Sequence, residues 1–406
     1  MLKQLYNTSL LLYLLSIRIY SWLGNEKAKK WIKGRKTQVG KWEKEQSKEY
    51  FDYWFHCASL GEFEQARPII ELLSKQDKRI LLSFFSPSGY EIRKDYLFAD
   101  RIIYLPYDYE SNVHYFFKKF EIGKAIWVKY DFWWNYFETI KKRGIPLFLI
   151  AFYQPKNTSI LKQIMHKKIL PYFNAIFTQD KASTTYIKGI DKNIVIHQVG
   201  DPRIDRAMSI SKEKKTLEKI EQFVKQSPLI VGGSCYDAEM KLLSKYLNNN
   251  KKIKLVIAPP EISDNFIRKC LQYFPEAILY SKLNKSINSD CPQTLIMDNV
   301  GFLGNLYSYA KIAVIGGGFG KGIHNILEPA CHGVPSIFGP NYTKFKEAAE
   351  LIKTEGAFSF KNKRDFDYRL NILLNDSEKY KHSNLACKQF IAKSTGASKS
   401  ILQVIN

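Results

Sequence analysis

Short apolar runs alternate with stretches of helical period along most of this chain. In the first half the runs that read as strands are 51–58, 80–85, 101–105, 125–129, 147–152, 175–178 and 194–199. In the second half they are 229–232, 254–258, 277–280, 294–297, 312–316 and 335–338. Strand–helix alternation predicts parallel sheets covered on both faces, and two such blocks predict two doubly wound α/β domains. Between the blocks the sequence is dense in Lys and Glu, which reads as a linker with a surface helix.

The first 35 residues follow a different pattern. Leu10-Leu11-Leu12-Tyr13-Leu14-Leu15, then Ile17, Ile19, Tyr20 and Trp22, make an apolar segment interrupted by Arg18. Lys27, Lys29, Lys30, Lys33, Arg35 and Lys36 follow it. A full span needs about 20 mostly apolar residues, so the segment reads either as a signal anchor or as a helix lying in the membrane plane. Both place the body on the cytoplasmic face of a membrane. A third reading is an ordinary helix packed on the body. The expected layout is 1–35 anchor helix and basic flank, 36–205 first Rossmann-like domain, 206–227 linker, and 228–406 second Rossmann-like domain with a C-terminal helix.

Charge adds a partner class. Lys and Arg number 62 against 39 Asp and Glu, a net charge of +23. That excess favours anionic partners. The basic residues are spread along the chain with no nucleic-acid-binding signature. Charge alone does not choose between a membrane and nucleic acid; with the N-terminal segment, the expected partner is an anionic membrane surface and no nucleic acid. Six cysteines, Cys57, Cys235, Cys270, Cys291, Cys331 and Cys387, form no CxxC pair and fit a reducing compartment.

Four motifs follow strands, where ligands of doubly wound domains bind. CASLGEFEQARPIIELL at 57–73 turns from strand to helix and sets Glu62 at the helix start. There a carboxylate can serve as a general base or merely complement the helix N-terminus. SFFSPSGYE at 83–91 offers Ser86 and Ser88 as anion partners or as a plain N-cap. IWVKYDFWWN at 126–135 sets Asp131 beside Trp133 and Trp134, to orient a sugar or as part of a packed helix start. VIGGGFGKGIHNILEPACHGVPSIFGP at 314–340 brings Gly316, Gly317 and Gly318 to a strand end, where glycine amides can approach a phosphate. It matches neither a Walker A loop nor GxGxxG. Asn325 and Glu328 follow, Glu328 placed to accept ribose hydroxyls. His324, Glu328 and His332 stand four apart, but Pro329 breaks a regular ligand face, so no metal is expected.

Taken in order, ASLGE at 58–62, SPSG at 86–89, YLPYD at 104–108, DFWWN at 131–135, GGS at 232–234 and the long glycine block resemble the Kdo (3-deoxy-D-manno-octulosonic acid) transferases of lipopolysaccharide assembly. The resemblance implies a GT-B fold, two Rossmann-like domains facing a crevice. It also implies CMP-Kdo as donor, a lipid A precursor of lipid IVA type as acceptor, and metal-independent transfer with inversion at the inner membrane. Glu62 matches the family's catalytic Glu, with Asp131 as a second catalytic candidate. Ser234, Gly317, Asn325 and Glu328 match the donor half, with Gly318 and Lys321 added to it. Ser59, Gly61, Ser86 and Ser88 are the expected substrate contacts. Two places depart from the family: Ala258-Pro259-Pro260-Glu261 stands where a Pro-Arg-His segment contacts the nucleotide, and Lys129-Tyr130-Asp131 where Glu-Thr-Glu is usual. The alternatives are another GT-B transferase or sugar-nucleotide epimerase using a UDP-sugar, and a non-catalytic binder of anionic membranes or nucleic acid.

Overall fold

The computed structural model describes residues 2–42, 45, 47–154, 158–213, 216–283, 292–299 and 301–406. Cys291 lies outside them; Cys57, Cys235, Cys270, Cys331 and Cys387 are free thiols. The chain divides into two compact units, Met1–Asp205 with Gly396–Asn406, and Arg206–Thr395.

The first unit begins with two helices, α1 (Leu2–Trp22) and α2 (Glu26–Trp42). Its strands are β1 (Glu49–Cys57), β2 (Ile80–Phe84), β3 (Arg101–Tyr104), β4 (Phe120–Val128), β5 (Leu147–Phe152), β6 (Ala175–Thr178) and β7 (Ile196–Gln198). They form one sheet in the order β3-β2-β1-β4-β5-β6-β7, every pair parallel. Helices α3 (Leu60–Ser74) and α4 (Pro87–Arg93) follow β1 and β2. Alternate residues feed opposite faces: Trp54 and Trp127 enter one buried cluster, Phe55, Ile126 and Val128 the other. Strands buried on both faces read as continuous apolar runs, which is why they are visible in the sequence.

The second unit repeats the plan with β8 (Leu229–Gly233), β9 (Lys254–Ala258), β10 (Ile278–Leu279), β11 (Thr294–Ile296), β12 (Ile312–Ile315), β13 (Ser336–Phe338) and β14 (Ala357–Ser359). Their order is β10-β11-β9-β8-β12-β13-β14, again parallel. Both sheets reverse direction once, between β1 and β4 in the first and between β8 and β12 in the second. The carboxyl ends at such a reversal are where open α/β sheets bind ligands.

Three features depart from the expected layout. Strand β14 is a three-residue edge strand, too short to register as an apolar run. The C-terminal helix Ala397–Ile405 belongs to the first unit and not to the second. Ile401, Leu402 and Ile405 join the core against α3, Lys124 Nζ donates to the Asn406 carbonyl at 2.8 Å, and Asp205 accepts from the Gly396 and Ser398 amides at 2.6 Å each. Helix α1 is half packed. Leu10 and Leu14 are buried in the first unit's core, Tyr6 Oη donates to Asp108 at 2.6 Å, and Lys3 pairs with Glu138 at 2.6 Å. Its other face exposes Leu11, Leu12, Leu15, Ile19 and Trp22, the last 86% exposed. Among the described residues no helix is long and apolar enough to cross a membrane.

Burying an aliphatic side chain stabilises by roughly 1.5–3 kcal/mol, and truncating one in a tight core costs about 2–5 kcal/mol. Ile401→Ala is therefore expected to destabilise the first unit by about 2–5 kcal/mol, and Ile401→Val by about 0.5–1.5 kcal/mol. Urea unfolding followed by tryptophan fluorescence checks this. An unchanged midpoint for Ile401→Ala would remove the C-terminal helix from the first unit's core.

Candidate active site

Strand β1 ends at Cys57, and the chain enters α3 through Ala58 and Ser59. Ser59 is extended, with φ −145° and ψ 172°, and its hydroxyl makes no capping bond to the helix. Glu62 does that work instead. Its carboxylate turns back and accepts from the Ala58 amide at 2.5 Å, and the Ser59 amide also faces it. The carboxyl is half-buried. Burial first, then the charge of Asp131, pushes its pKa up to about 7 against the pull of those amides and of Lys129.

Asp131 follows β4, the strand in register with β1 at His56↔Trp127. The chain reaches it through Lys129, whose φ of 58° puts the backbone in the left-handed region. One carboxylate oxygen of Asp131 accepts from Trp133 Nε1 at 3.0 Å and stands 3.3 Å from His56 Nε2. His56 is fully buried, and burial holds its imidazole below the usual range although Asp131 opposes this. His56 Nε2 also stands 3.2 Å from Trp133 Nε1, and its Nδ1 lies 2.9 Å from the Ser83 hydroxyl. Trp133 and Trp134 are both buried. Neither ring is free to stack on a sugar; Trp133 instead fixes Asp131.

Ser86 caps α4 as the local sequence alone would have it. Its hydroxyl accepts from the Ser88 amide at 3.3 Å and lies 2.9 Å from the Ser88 hydroxyl. The Ser86 amide donates to the Ala58 carbonyl at 2.8 Å, which ties this loop to the Glu62 turn. Gly61 is exposed, and a Cβ there would meet no atom within 4 Å. Packing therefore does not require this glycine. Ser59, Gly61, Glu62, Ser86, Ser88 and Asp131 thus share the carboxyl ends of β1, β2 and β4.

In the second unit, Ser234 follows β8 with φ 53°. Its amide donates to the Ala258 carbonyl at 2.8 Å. Gly316 follows β12, and a Cβ there would lie 1.9 Å from the Ser234 carbonyl oxygen, so only glycine lets the two strand ends meet. Gly317 has φ 87°. Glu239 lies near the Gly317 and Gly318 amides, which pull its pKa down. That carboxylate is buried and also takes the Tyr236 amide at 3.1 Å. Burial still raises its pKa. Glu239 sits at the third position of the helix Asp237–Asn248, the place from which a carboxylate reaches back to the N-cap amide.

Lys321 is exposed in the same loop. Asn325 Nδ2 donates to Glu328 at 2.9 Å, and Asn325 Oδ1 takes the Leu327 amide at 3.0 Å. His324 lies outside the short helix Leu327–Cys331 and stands 3.2 Å from the Tyr236 hydroxyl, while His332 faces the Gly304 carbonyl at 2.8 Å. Among the described residues no three His, Cys, Asp or Glu side chains are grouped to hold a metal ion. Sequence reasoning missed His56, Ser83, Lys129 and Glu239. Only Glu239 carried a usable signal, an acidic residue five positions after the Ser234 turn.

Residues 30–206 match the family described as 3-deoxy-D-manno-octulosonic-acid transferase (kdotransferase). The chain is 28% identical to the 3-deoxy-D-manno-octulosonic acid transferase of Aquifex aeolicus, over 81% of this chain and 87% of that one. It is 24% identical to the enzyme of the same name from Chlamydophila psittaci, over 80% and 78%. Among solved structures, the UDP-GlcNAc 2-epimerase from Neisseria meningitidis bound to UDP-GlcNAc shares the fold with a TM-score of 0.60 at 14% identity, over 88% of this chain and 99% of that one. With this fold, and with its motifs at the reversal points of both sheets, the chain is similar to the 3-deoxy-D-manno-octulosonic-acid transferases, a glycosyltransferase family, through its first unit in the family match and over most of its length in these relatives.

Proposed function

We propose that this enzyme moves Kdo from CMP-Kdo to a lipid A precursor of lipid IVA type, with inversion, and that Glu62 is the general base. The carrying observation is the Glu62 carboxyl, set at the sheet reversal and titrating at about 7. A base works best when its pKa lies near the working pH. Glu62 takes the proton of the acceptor hydroxyl as that oxygen bonds to the anomeric carbon of Kdo. The bond from that carbon to the cytidylate phosphate breaks, and CMP leaves with the electron pair. Asp131, oriented by His56 and Trp133, keeps Glu62 basic, while Lys129 limits the effect. Ser59, Gly61, Ser86 and Ser88 line the acceptor side. Ser234 and Lys321 meet the phosphate, and Asn325 with Glu328 meets the ribose. Gly317 and Gly318 bring backbone amides to the same phosphate. The chemistry asks for no metal.

The acceptor is a lipid, so the enzyme works at the cytoplasmic face of the inner membrane. The exposed leucines of α1 and the lysines of α2 support this, with α1 lying in the membrane plane.

Labelled CMP-Kdo and a tetra-acylated lipid A precursor, with EDTA present, test the reading. Wild type should transfer, and Glu62→Gln should lose about 10²–10⁴ of the rate. Full activity of Glu62→Gln would dismiss it as the base. The acid side of the pH profile has a definite sign. Below about 7 the carboxyl is protonated and cannot accept, so kcat/KM should rise with pH and level off above about 7. Asp131→Asn should move that limb to lower pH and Lys129→Met to higher pH; shifts of the same sign would break the electrostatic account.

Gly61→Ala separates contact from folding. The added methyl meets open space, and alanine favours a helix by up to ~1 kcal/mol. The melting temperature should hold or rise while KM for the acceptor increases severalfold. An unchanged KM would take Gly61 out of the acceptor site.

A further inference from the structure

A cavity of about 240 Å³ opens between α1, α2 and the start of α4. Its walls are Tyr13, Ile17 and Tyr20 of α1, Trp31 of α2, and Phe85. Lys27 and Ser86 stand at its polar edge. Every wall residue belongs to the first unit. The Trp31 and Phe85 rings meet edge-on at 5.4 Å between centroids, and Tyr13 lies along Phe85 at 6.3 Å.

Three observations say what fits it. The walls are aromatic and aliphatic, so they suit hydrocarbon better than sugar. The cavity ends at Ser86, whose amide holds the Ala58 carbonyl, while the Ala58 amide holds Glu62. A ligand seated there has its head beside the loop that is bonded to the Glu62 turn. Lys27, Lys30 and Lys33, three apart and exposed, run along α2 from the cavity edge, on one side of the helix. They offer positive charge to an anionic headgroup. Outside the cavity, α1 continues with exposed Leu12, Ile19 and Trp22, apolar side chains that folding leaves uncovered.

We infer that this cavity seats one acyl chain of the phosphorylated glycolipid acceptor, and that Lys27 with Lys30 receives its phosphate. The inference rests on the lipid-acceptor reading above and adds where the chain goes. Each buried methylene adds ~0.8 kcal/mol, about fourfold in affinity, so the cavity makes KM depend on acyl length.

The test uses the full chain in mixed micelles with labelled CMP-Kdo. Acceptors are the tetra-acylated disaccharide bisphosphate and its fully deacylated form. Wild type should show a KM at least about 100-fold lower for the acylated acceptor, the equivalent of a few buried methylenes. Ile17→Trp fills the cavity; it should raise KM for the acylated acceptor about tenfold and leave the deacylated acceptor unchanged. Equal acyl preference in wild type and Ile17→Trp overturns the proposal. Because Ile17→Trp can impair folding, a second measurement needs no turnover and leaves the cavity unfilled. Lysophosphatidic acid brominated on its chain should quench a share of the tryptophan fluorescence that Trp31→Phe removes. If Trp31→Phe is quenched as wild type is, the chain lies elsewhere and the proposal fails. If no acceptor is glycosylated by wild type but Trp31 is quenched, the transfer reading fails and the acyl site stands.

Discussion

The parallel pairing of β1 with β4 fixes Phe55 opposite Ile126 and His56 opposite Trp127. The connection after β1 runs to β2 on one side and the connection after β4 to β5 on the other, so the loops that follow these two strands are not crowded by a shared connection. The Glu62 turn follows one, and Lys129 and Asp131 follow the other. Two carboxylates and one ammonium are thereby held around a half-buried point. Burial alone would push Glu62 up, and Asp131 adds to this; Lys129 and two backbone amides pull it back. The balance near neutrality is a property of the strand register, because a slip of one residue would turn His56 and Trp127 to the opposite faces.

A second constraint acts in the glycine-rich loop. A run of glycines after a strand reads naturally as a phosphate cradle, since its amides are free to approach an anion. Here an internal carboxylate lies close to them. Glu239 accepts from the Tyr236 amide at the start of its helix, and the Gly317 and Gly318 amides near it pull its pKa down. Ser234, in the left-handed region with φ 53°, is pressed against Gly316 from the neighbouring strand end. Strained backbone of this kind persists where the surroundings over-determine it, often at functional sites. A pre-shaped loop orders little on binding, which favours affinity.

Much of this was legible in the sequence. The strands buried on both faces appear as apolar runs, and thirteen of the fourteen strands fall where those runs are. Ser86 and Glu62 were legible as helix-start residues, because capping is local chemistry. What was not legible depends on distant parts of the chain meeting. His56 looks like any residue inside a strand until Asp131 and Ser83 arrive from two other strands. Trp133 and Trp134 look like sugar platforms until the fold buries them. The C-terminal helix gives no local sign that it returns to the first unit, since its apolar face would suit either core.

Arg35 joins the N-terminal segment to the site. It is 4% exposed, and burial lowers its pKa only to about 10, so it stays charged at neutral pH. Its charge is met by carbonyls and ring faces. It donates to the Phe85 carbonyl at 2.7 Å and the Leu105 carbonyl at 2.9 Å, and lies 4.2 Å from the centre of the Trp31 ring. A planar fork can serve several carbonyls and an aromatic face at once, which a lysine ammonium cannot. Arg35 therefore fastens α2 to the chain that runs directly into Ser86. The Trp31 and Phe85 walls of the cavity and the Ser86 loop are one packed piece. The segment before residue 36 is thus part of the wall of the site, because cutting it away would leave the Phe85 carbonyl without its donor and Ser86 without its support.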